Sequence, residues 1–157
     1  MGVHNFSWVI PGKLAGSAIP AGLDFGSTDY TLSDLTELYS VGIRCIVSLL
    51  EIPAYFGTLC KQEGISWISY PINDFNVPHD MDTFDKLICS TIENINTELP
   101  ICAHCYAGIG RTGLFLACTV GKYYSIDGSA AIEMIHENRP AFDTKKQTDF
   151  VHKFLNR

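Results

Sequence analysis

The stretch HCYAGIGRTG, residues 104–113, contains a cysteine, an arginine and three glycines within ten positions. It lies between two apolar segments, PICA (100–103) before it and LFLACTV (114–120) after it. The first segment is typical of a short buried strand and the second of a helix, so a tight strand-to-helix loop is predicted between them. Because N–H groups at a helix N-terminus bind anions, such a loop can hold the pyrophosphate of a dinucleotide or bind a phosphate ester.

From Gly108 the stretch also reads G-x-G-x-x-G, the pattern of a dinucleotide-binding turn. A dinucleotide-binding fold needs a further strand after the helix, with an acidic residue about 20 positions beyond the glycines. In this chain the helix is followed by SIDGSAAIEM (125–134), which is typical of the start of another helix, and no strand is predicted beyond it. The sequence therefore disfavours a dinucleotide site.

Binding of a phosphate ester would use every polar residue of the loop. Gly108 and Gly110 permit the positive φ or the close approach that a row of inward N–H groups demands. Arg111 stands where the loop meets the helix, and its guanidinium can bind two phosphate oxygens at once. Cys105 lies at the base of the loop, where amide dipoles, a helix N-terminus and an arginine stabilise a thiolate. The stretch therefore predicts a phosphate-binding loop with a cysteine nucleophile.

The rest of the chain alternates predicted strands and helices. Strands are predicted as a pair around a Pro-Gly turn in the first 16 residues, and at 43–50, 65–72 and 100–105. Helices are predicted at 31–41, 53–63, 82–98, 112–124, 128–138 and 145–155, with Thr31 as the cap of the first, and 21–30 as a loop. This alternation predicts an α/β fold, with a mainly parallel central sheet of four to five strands flanked by helices.

The overall composition limits the partners. The 157 residues are enough for one domain with a sizeable core, and the formal net charge is -6. An acidic chain does not attract nucleic acid or an anionic membrane. No apolar run approaches the roughly 18 residues that a membrane span needs, and the N-terminus lacks the pattern of a signal peptide. We therefore expect neither nucleic acid nor a membrane as a partner.

Six cysteines are spread along the chain, and four of them, Cys45, Cys89, Cys102 and Cys118, lie within apolar segments. This placement is typical of buried free thiols in a reducing compartment rather than of a disulfide framework. We therefore expect the protein in the cytoplasm, with the nucleus as a second location. The histidines outside the loop show no metal-ligand spacing, so no metal and no other cofactor is expected.

The pattern His104-Cys105-x5-Arg111-Thr112-Gly113 resembles the signature of the cysteine-based protein tyrosine phosphatases. The segments NFSWVIPGKLAG (5–16) and PINDF (71–75), together with Arg139-Pro140 and Gln147, resemble the small atypical dual-specificity phosphatases over most of the chain. Residues 17–35 and 51–58 carry no such likeness. The resemblance implies a single catalytic domain over residues 1–157, active on phosphotyrosine and also on phosphoserine or phosphothreonine.

The resemblance also assigns roles to the residues of the loop. Cys105 would attack phosphorus and form a phosphocysteine, and His104 would orient the loop through hydrogen bonds to the backbone. The hydroxyl of Thr112 would bond the thiolate when the phosphoenzyme is hydrolysed, although this residue is also a good helix starter. The arginine side chain and a run of backbone amides would bind the phosphate oxygens, the amides being those of Tyr106, Ala107, Gly108, Ile109, Gly110 and Arg111.

A carboxylic acid is needed to protonate the leaving oxygen. Asp74, directly after a predicted strand, fits both this chemistry and the family pattern. Asp80 and Asp82 are rivals, better explained as part of the first turn of the next helix. By the resemblance Gln147 would position the hydrolytic water, and the alternative is a plain surface glutamine. Cys102 forms a C-x-x-C pair with the nucleophile, but a buried inert thiol is favoured because side chains three apart on a strand face opposite ways.

The loop interior, residues 106–110, has no positive charge. Related phosphatases of inositol phosphates tend to carry lysines there, so one phosphate on a protein side chain fits this loop better than a polyanionic lipid headgroup or an RNA triphosphate. We therefore expect a phosphorylated protein or peptide as the partner of a monomeric enzyme. A lipid or RNA phosphatase and a phosphate-binding pseudophosphatase remain the alternatives.

Overall fold

A computed structural model describes residues 2–157, and its central strand, Ile101–His104, leads directly into the glycine-rich loop. Residues 2–157 contain five strands: β1 (Ser7–Ile10), β2 (Leu14–Ser17), β3 (Cys45–Ser48), β4 (Ser66–Ser69) and β5 (Ile101–His104). Six α-helices surround them: α1 (Thr28–Ser40), α2 (Tyr55–Gln62), α3 (Met81–Asn96), α4 (Gly110–Tyr124), α5 (Gly128–Asn138) and α6 (Lys145–Leu155). A short 3-10 turn, Gly22–Asp24, precedes α1.

The strands form one sheet in the order β1-β2-β5-β3-β4. β2, β5, β3 and β4 are parallel, and only β1 runs antiparallel, to β2. The predicted α/β fold with a mainly parallel sheet flanked by helices is therefore confirmed. The prediction that residues 100–105 contain the central strand is also confirmed, since β5 has two strands on each side.

Helices cover both faces of this sheet, which explains why all four residues of β5 are buried. On one face, α3 to α6 enclose an apolar cluster around Phe84, Phe115 and Phe154. On the other face, α1 and α2 pack Leu38 and Phe56 against the sheet. Within residues 2–157, no helix has both the length and the apolar character that a membrane span requires.

The parallel arrangement decides where chemistry can take place. Because β2, β3, β4 and β5 point the same way, the loops that follow them meet at one edge of the sheet. These four loops are residues 18–27, 49–54, 70–80 and 105–109. The glycine-rich loop and the loop that contains Asp74 are therefore brought to the same edge.

The start of α1 differs from the prediction. The helix begins at Thr28, and Ser27 rather than Thr31 is its cap, with the Ser27 Oγ accepting a hydrogen bond from the Tyr30 N at 3.3 Å. Thr31 instead lies inside the helix, where its hydroxyl donates to the Ser27 carbonyl at 2.8 Å. The polar residues of the first turn resemble a loop in sequence, which explains the late predicted start. The predicted bounds of α5 and α6 are confirmed.

The cysteines are free, as predicted, but their burial is only partly as expected. Cys45, Cys102 and Cys118 are buried, whereas Cys89 is exposed, so its predicted burial is wrong. Cys89 follows Ile88 on α3, and neighbouring helical positions point about 100° apart, so only the isoleucine faces the core. Cys60 on α2 is a further buried thiol, and burial raises its pKa to about 12.

Candidate active site

Cys105 lies at the point where β5 ends and the glycine-rich loop begins. Its side chain is buried, and the hydroxyl of Thr112, in the first turn of α4, donates a hydrogen bond to the Cys105 Sγ at 3.0 Å. The thiol borders a cavity of about 190 Å³ that is also lined by Asp74 and Arg111. The three residue types predicted to act together therefore line one cavity.

The carbonyl groups of the loop all point away from this cavity, because each accepts a hydrogen bond from behind the loop. The donors to carbonyls 105 to 109 are, in order, His104 Nδ1 at 2.9 Å, Ile19 N at 3.0 Å, Asn5 Nδ2 at 3.2 Å, Arg139 Nη2 at 2.6 Å and Gly113 N at 2.9 Å. In a planar trans peptide the N–H points opposite to the C=O. The N–H groups of residues 106–110 therefore face the cavity side, which is the arrangement that an anion-binding nest needs.

Two glycines are required by close contacts of the loop. Gly108 has a φ of +79°, and a Cβ there would lie 2.5 Å from the carbonyl of Ser17. A Cβ at Gly110 would collide with the carboxylate of Asp143. Because neither residue has a side chain, the loop can pass this close to the end of β2 on one side and to Asp143, just before α6, on the other.

Arg111 is nearly fully buried and is held by the loop that follows β4. Its Nη1 donates to the Ile72 carbonyl at 2.9 Å, and its Nη2 lies 3.2 Å from Asp74 Oδ1. Its Nε makes no hydrogen bond to any of residues 2–157. A buried guanidinium N–H without a partner is costly, and a phosphate oxygen in the adjacent cavity would supply that partner.

Of the three predicted acids, only Asp74 lies at Arg111. Its side chain is 56% exposed, and its Oδ1 also accepts a hydrogen bond from the Phe75 N at 3.0 Å. Asp80 caps α3 by accepting from the Asp82 N at 3.0 Å, and Asp82 pairs with Arg157 at 3.3 Å. The interpretation of Asp80 and Asp82 as the first turn of a helix agrees with these contacts. The catalytic role of Asp74 stays a prediction.

Gln147 is fully buried, so the alternative of a plain surface glutamine is wrong. Its Oε1 accepts from the Asp143 N at 2.8 Å, and its Nε2 donates to the Asn76 carbonyl at 3.3 Å. The side chain is buried because α6 packs over the loop that contains Asp74, and both amide atoms satisfy backbone groups there. The amide also approaches the glycine-rich loop, since a Cβ at Gly110 would lie 3.0 Å from the Nε2. Its role in positioning water stays a prediction.

The comparisons with known proteins agree with this geometry. A family model described as "PTP-SAK: Swiss Army Knife protein, DSP-PTPase phosphatase domain" matches residues 3–157. The chain belongs to the dual-specificity phosphatases of the cysteine-based protein tyrosine phosphatase superfamily. The predicted family is therefore confirmed, and the members of this family named below are phosphatases, which are hydrolases.

Individual relatives extend the match over most of the chain. The protein tyrosine phosphatase PRL-1 of Leishmania major is 29% identical over 86% of this chain and 81% of its own length. The human dual specificity protein phosphatase CDC14A is 40% identical over 95% of this chain, which spans only 25% of that relative. The crystal structure of Tk-PTP in the active form superposes with a TM-score of 0.83 at 20% identity, covering 98% of this chain and 97% of the other. PTPMT1 in complex with PI(5)P superposes with a TM-score of 0.75 at 15% identity, covering 92% and 91%.

In this dual-specificity phosphatase, His104 is buried between the sheet and α2. Its Nδ1 bonds the Cys105 carbonyl at 2.9 Å, its Nε2 lies 2.6 Å from the Ser48 Oγ, and its ring lies 5.7 Å from that of Phe56. Burial is the main reason that the pKa of His104 is lowered from 6.5 to about 4; the hydrogen bond to the Cys105 carbonyl opposes this shift and the nearby Arg111 charge adds to it. The imidazole is therefore neutral at physiological pH, and its role in orienting the loop stays a prediction.

The depressed pKa of His104 predicts a stability that depends on pH. The unfolded chain takes up a proton at this histidine near pH 6.5, whereas the folded chain resists protonation until about pH 4. The free energy of unfolding is therefore expected to fall by about 3 kcal/mol from this residue as the pH drops through that interval. Urea unfolding of the wild type and of His104→Asn between pH 7 and 4 measures it.

Carboxylates titrate in both proteins, so the relevant quantity is the difference between the two pH slopes. His104→Asn keeps an N–H donor near the Nδ1 position but carries no titrating group, and its slope should be flatter. His136→Asn, at an exposed position on α5, serves as the control and should keep the wild-type slope. Equal slopes for the wild type and His104→Asn would contradict the assignment of a buried neutral imidazole.

Cys102 lies on the opposite face of β5 from the site. It packs in the cluster of α1 and α2, and its Sγ lies 3.4 Å from the Ser17 Oγ. Burial raises the pKa of Cys102 to about 11. These observations support the buried inert thiol. Nowhere in the described part of the chain do three or more His, Cys, Asp or Glu side chains form a group that could hold a metal ion.

Several residues around the loop were not found from the sequence. Asn5 and Arg139 hold loop carbonyls, and Asp143 lines the cavity beside Cys105. Arg139 is buried and also donates to the carbonyl of Gly16 at 2.7 Å, so it links β2 to the loop. The likeness of residues 5–16 and 139–140 to the family was noted, but neither segment carries a local pattern that specifies a contact with the loop.

Proposed function

We propose that the protein hydrolyses phosphate monoesters of tyrosine side chains, and also those of serine or threonine, through a phosphocysteine at Cys105. The observation that carries the proposal is the set of five consecutive carbonyls, 105 to 109, that are all bonded away from the cavity. That arrangement aims a row of amide N–H groups at an anion directly beside the thiol. Arg111 adds a charged donor with a free Nε–H on the same cavity.

In the first step the Cys105 thiolate attacks phosphorus in line. The S–P bond forms as the bond to the leaving oxygen breaks, and the negative charge on the equatorial oxygens is bound by the loop amides and by Arg111. Donors aimed at charge that develops in the transition state raise the rate more than they raise substrate affinity. The loop is held from behind, so this arrangement exists before the substrate binds.

In the second step water hydrolyses the phosphocysteine. The Asp74 carboxylate, which has given its proton to the leaving oxygen, takes a proton from the attacking water. The water oxygen bonds to phosphorus as the S–P bond breaks, and the thiolate accepts the hydrogen bond of Thr112, which already lies 3.0 Å from the sulfur. Inorganic phosphate leaves, and the enzyme returns to its starting state.

The contact between Asp74 and Arg111 gives the acid a resting position. A phosphate that binds the guanidinium neutralises the charge that now attracts Asp74 Oδ1. The carboxyl, more than half exposed, is then free to reach the leaving oxygen above the cavity. Binding of the substrate therefore releases the acid at the moment when it is needed.

The shape of the cavity supports a substrate with one phosphate on an aromatic side chain. Two exposed rings, Phe75 and Tyr106, line the same cavity as the thiol, and their exposed fractions are 59% and 46%. Aromatic rings at such an entrance stack on a phenyl ring, which favours phosphotyrosine.

A phosphoinositide is the second candidate substrate, because PTPMT1, whose structure was solved with PI(5)P, shares this fold. The loop interior of this chain has no lysine or arginine between Tyr106 and Gly110, and the formal net charge is -6. Both features disfavour a polyanionic headgroup. We therefore rank the phosphorylated protein side chain above the lipid.

A kinetic comparison of four substrates tests the proposal. We expect kcat/KM to be highest for a phosphotyrosine peptide and lower for the matched phosphothreonine peptide. For a phosphoinositide or an RNA 5′-triphosphate it should be at least about tenfold lower than for the phosphotyrosine peptide. A tenfold difference in kcat/KM corresponds to only about 1.4 kcal/mol of transition-state stabilisation. EDTA should leave each rate unchanged. A phosphoinositide as the best substrate would favour the lipid alternative, and binding of phosphate without turnover of any substrate would indicate a pseudophosphatase.

A further inference from the structure

A chain of hydrogen bonds runs from the edge strand of the sheet to the backbone of the nucleophile. The indole Nε1–H of Trp67, on β4, donates to the Ser48 Oγ at 2.9 Å. The Ser48 Oγ lies 2.6 Å from the His104 Nε2, and the His104 Nδ1 lies 2.9 Å from the Cys105 carbonyl oxygen. Trp67, Ser48 and His104 therefore connect three neighbouring strands to the loop.

The chemistry of the two ends fixes the direction of the hydrogen bonds at those ends. An indole N–H can only donate, so the Ser48 Oγ accepts from Trp67 and has its own hydrogen free for the His104 Nε2. A carbonyl oxygen can only accept, so the His104 Nδ1 must carry the hydrogen that bonds Cys105. The neutral tautomer of His104 with its hydrogen on Nδ1 satisfies both ends, because its Nε2 lone pair can accept the hydrogen of the Ser48 hydroxyl.

The residues around it hold this chain of hydrogen bonds in place. Ser48 and His104 are at most 1% exposed, and hydrogen bonds in such a dry environment are stronger than in water. The indole of Trp67 lies against Gly57 of α2, where any Cβ would collide with the ring. Phe56 packs edge-on against Trp67, with ring centroids 5.9 Å apart. The absence of a side chain at Gly57 thus lets the indole reach Ser48.

We propose that Trp67 and Ser48 are positioning residues for the nucleophile, because they hold His104 in the Nδ1–H tautomer that keeps the Cys105 carbonyl turned outward. With that carbonyl fixed, the N–H of Tyr106 faces the phosphate. The inference rests on the proposed function, since it assigns residues that support the proposed catalytic loop. Neither residue touches the substrate; both act through His104.

Two substitutions and one control test the proposal. Trp67→Phe removes the indole N–H but keeps an aromatic ring, and Ser48→Ala keeps the indole but removes the hydroxyl. We expect long-range ¹H–¹⁵N NMR to show a single Nδ1–H tautomer of His104 in the wild type and a mixture of tautomers in both variants. We expect kcat to fall about fivefold to tenfold, the equivalent of one net hydrogen bond, with a smaller change in KM. Trp8→Phe is the matched control, because Trp8 on β1 packs edge-on against Phe6 outside this chain of bonds.

The double variant Ser48→Ala/Trp67→Phe separates this role from simple packing. Without Ser48 the indole N–H has no route to His104, so the double variant should have the same kcat and tautomer mixture as Ser48→Ala alone. Additive losses, an equal loss in Trp8→Phe, or a pure Nδ1–H tautomer in Ser48→Ala would overturn the proposal. The NMR measurement needs no turnover, so it tests the hydrogen-bond chain even where the proposed phosphatase activity fails. If Trp67→Phe does not fold, the NMR spectrum of Ser48→Ala alone still tests the hydrogen-bond chain.

Discussion

Cys105→Ser is expected to lower kcat for p-nitrophenyl phosphate by about 10⁴-fold or more, while inorganic phosphate still binds. A serine hydroxyl needs an adjacent general base to become a nucleophile. The nearest imidazole cannot act as that base, because the His104 Nδ1 bonds the backbone and its Nε2 is occupied by Ser48. The loop amides and Arg111 do not depend on the sulfur, so the anion site remains.

Steady-state kinetics measure the loss of turnover in Cys105→Ser, and calorimetric titration with phosphate measures whether the variant still binds the anion. Cys89→Ser is the control, because Cys89 is the exposed thiol of α3 and lies outside the site. It should keep wild-type turnover, and mass spectrometry after a rapid quench should find phosphate on Cys105 in that variant and in the wild type. Turnover by Cys105→Ser above about one per cent of the wild-type rate would remove Cys105 as the nucleophile.

The fold was predictable to the extent that its signals are local. Strands β3 to β5 read as apolar runs, and α5 and α6 are bounded by caps that the sequence displays, Asp127 and Thr144. The first turn of α1 was missed because Thr28, Asp29 and Tyr30 are polar or exposed residues that also suit a loop. Its cap, Ser27, is confirmed only by a hydrogen bond that forms once the helix exists.

For the candidate site too, the residues that could be predicted are those whose signal is local in the sequence. Cys105, Arg111 and Thr112 lie within eight positions, so their spacing alone indicates that they share one loop. Asn5 lies 102 positions from the carbonyl that it holds, and the pairings of β1 with β2 and of β2 with β5 bring the two together. Asp143 approaches the loop because Gly110 has no side chain, a contact that neither residue reveals in sequence. The signature specifies the chemistry, whereas the tertiary fold supplies the donors that shape it.

Asp74→Asn is the second large expected effect, and it depends on the leaving group. An amide cannot give a proton to the leaving oxygen, so turnover of an alkyl phosphate, whose alkoxide is a poor leaving group, should fall about 10²- to 10⁴-fold. p-Nitrophenolate leaves without a proton, so its ester should be slowed only a few-fold. The fall of the rate on the basic side of the pH profile, where a general acid loses its proton, should disappear in this variant.

The same substitution should tighten the binding of phosphate, because it removes the carboxylate that lies 3.2 Å from the Arg111 Nη2. The pair is partly exposed, so the gain in affinity should be modest, about fivefold or less. Asp80→Asn and Asp82→Asn are the matched controls, and asparagine at position 80 still caps α3. If Asp74→Asn kept the wild-type pH profile and one of these variants lost its basic limb, the acid role would pass to that residue. Because Asp74 is the one of these three acids that contacts Arg111, the arginine proposed to bind the phosphate, we expect the loss of the basic limb in Asp74→Asn alone.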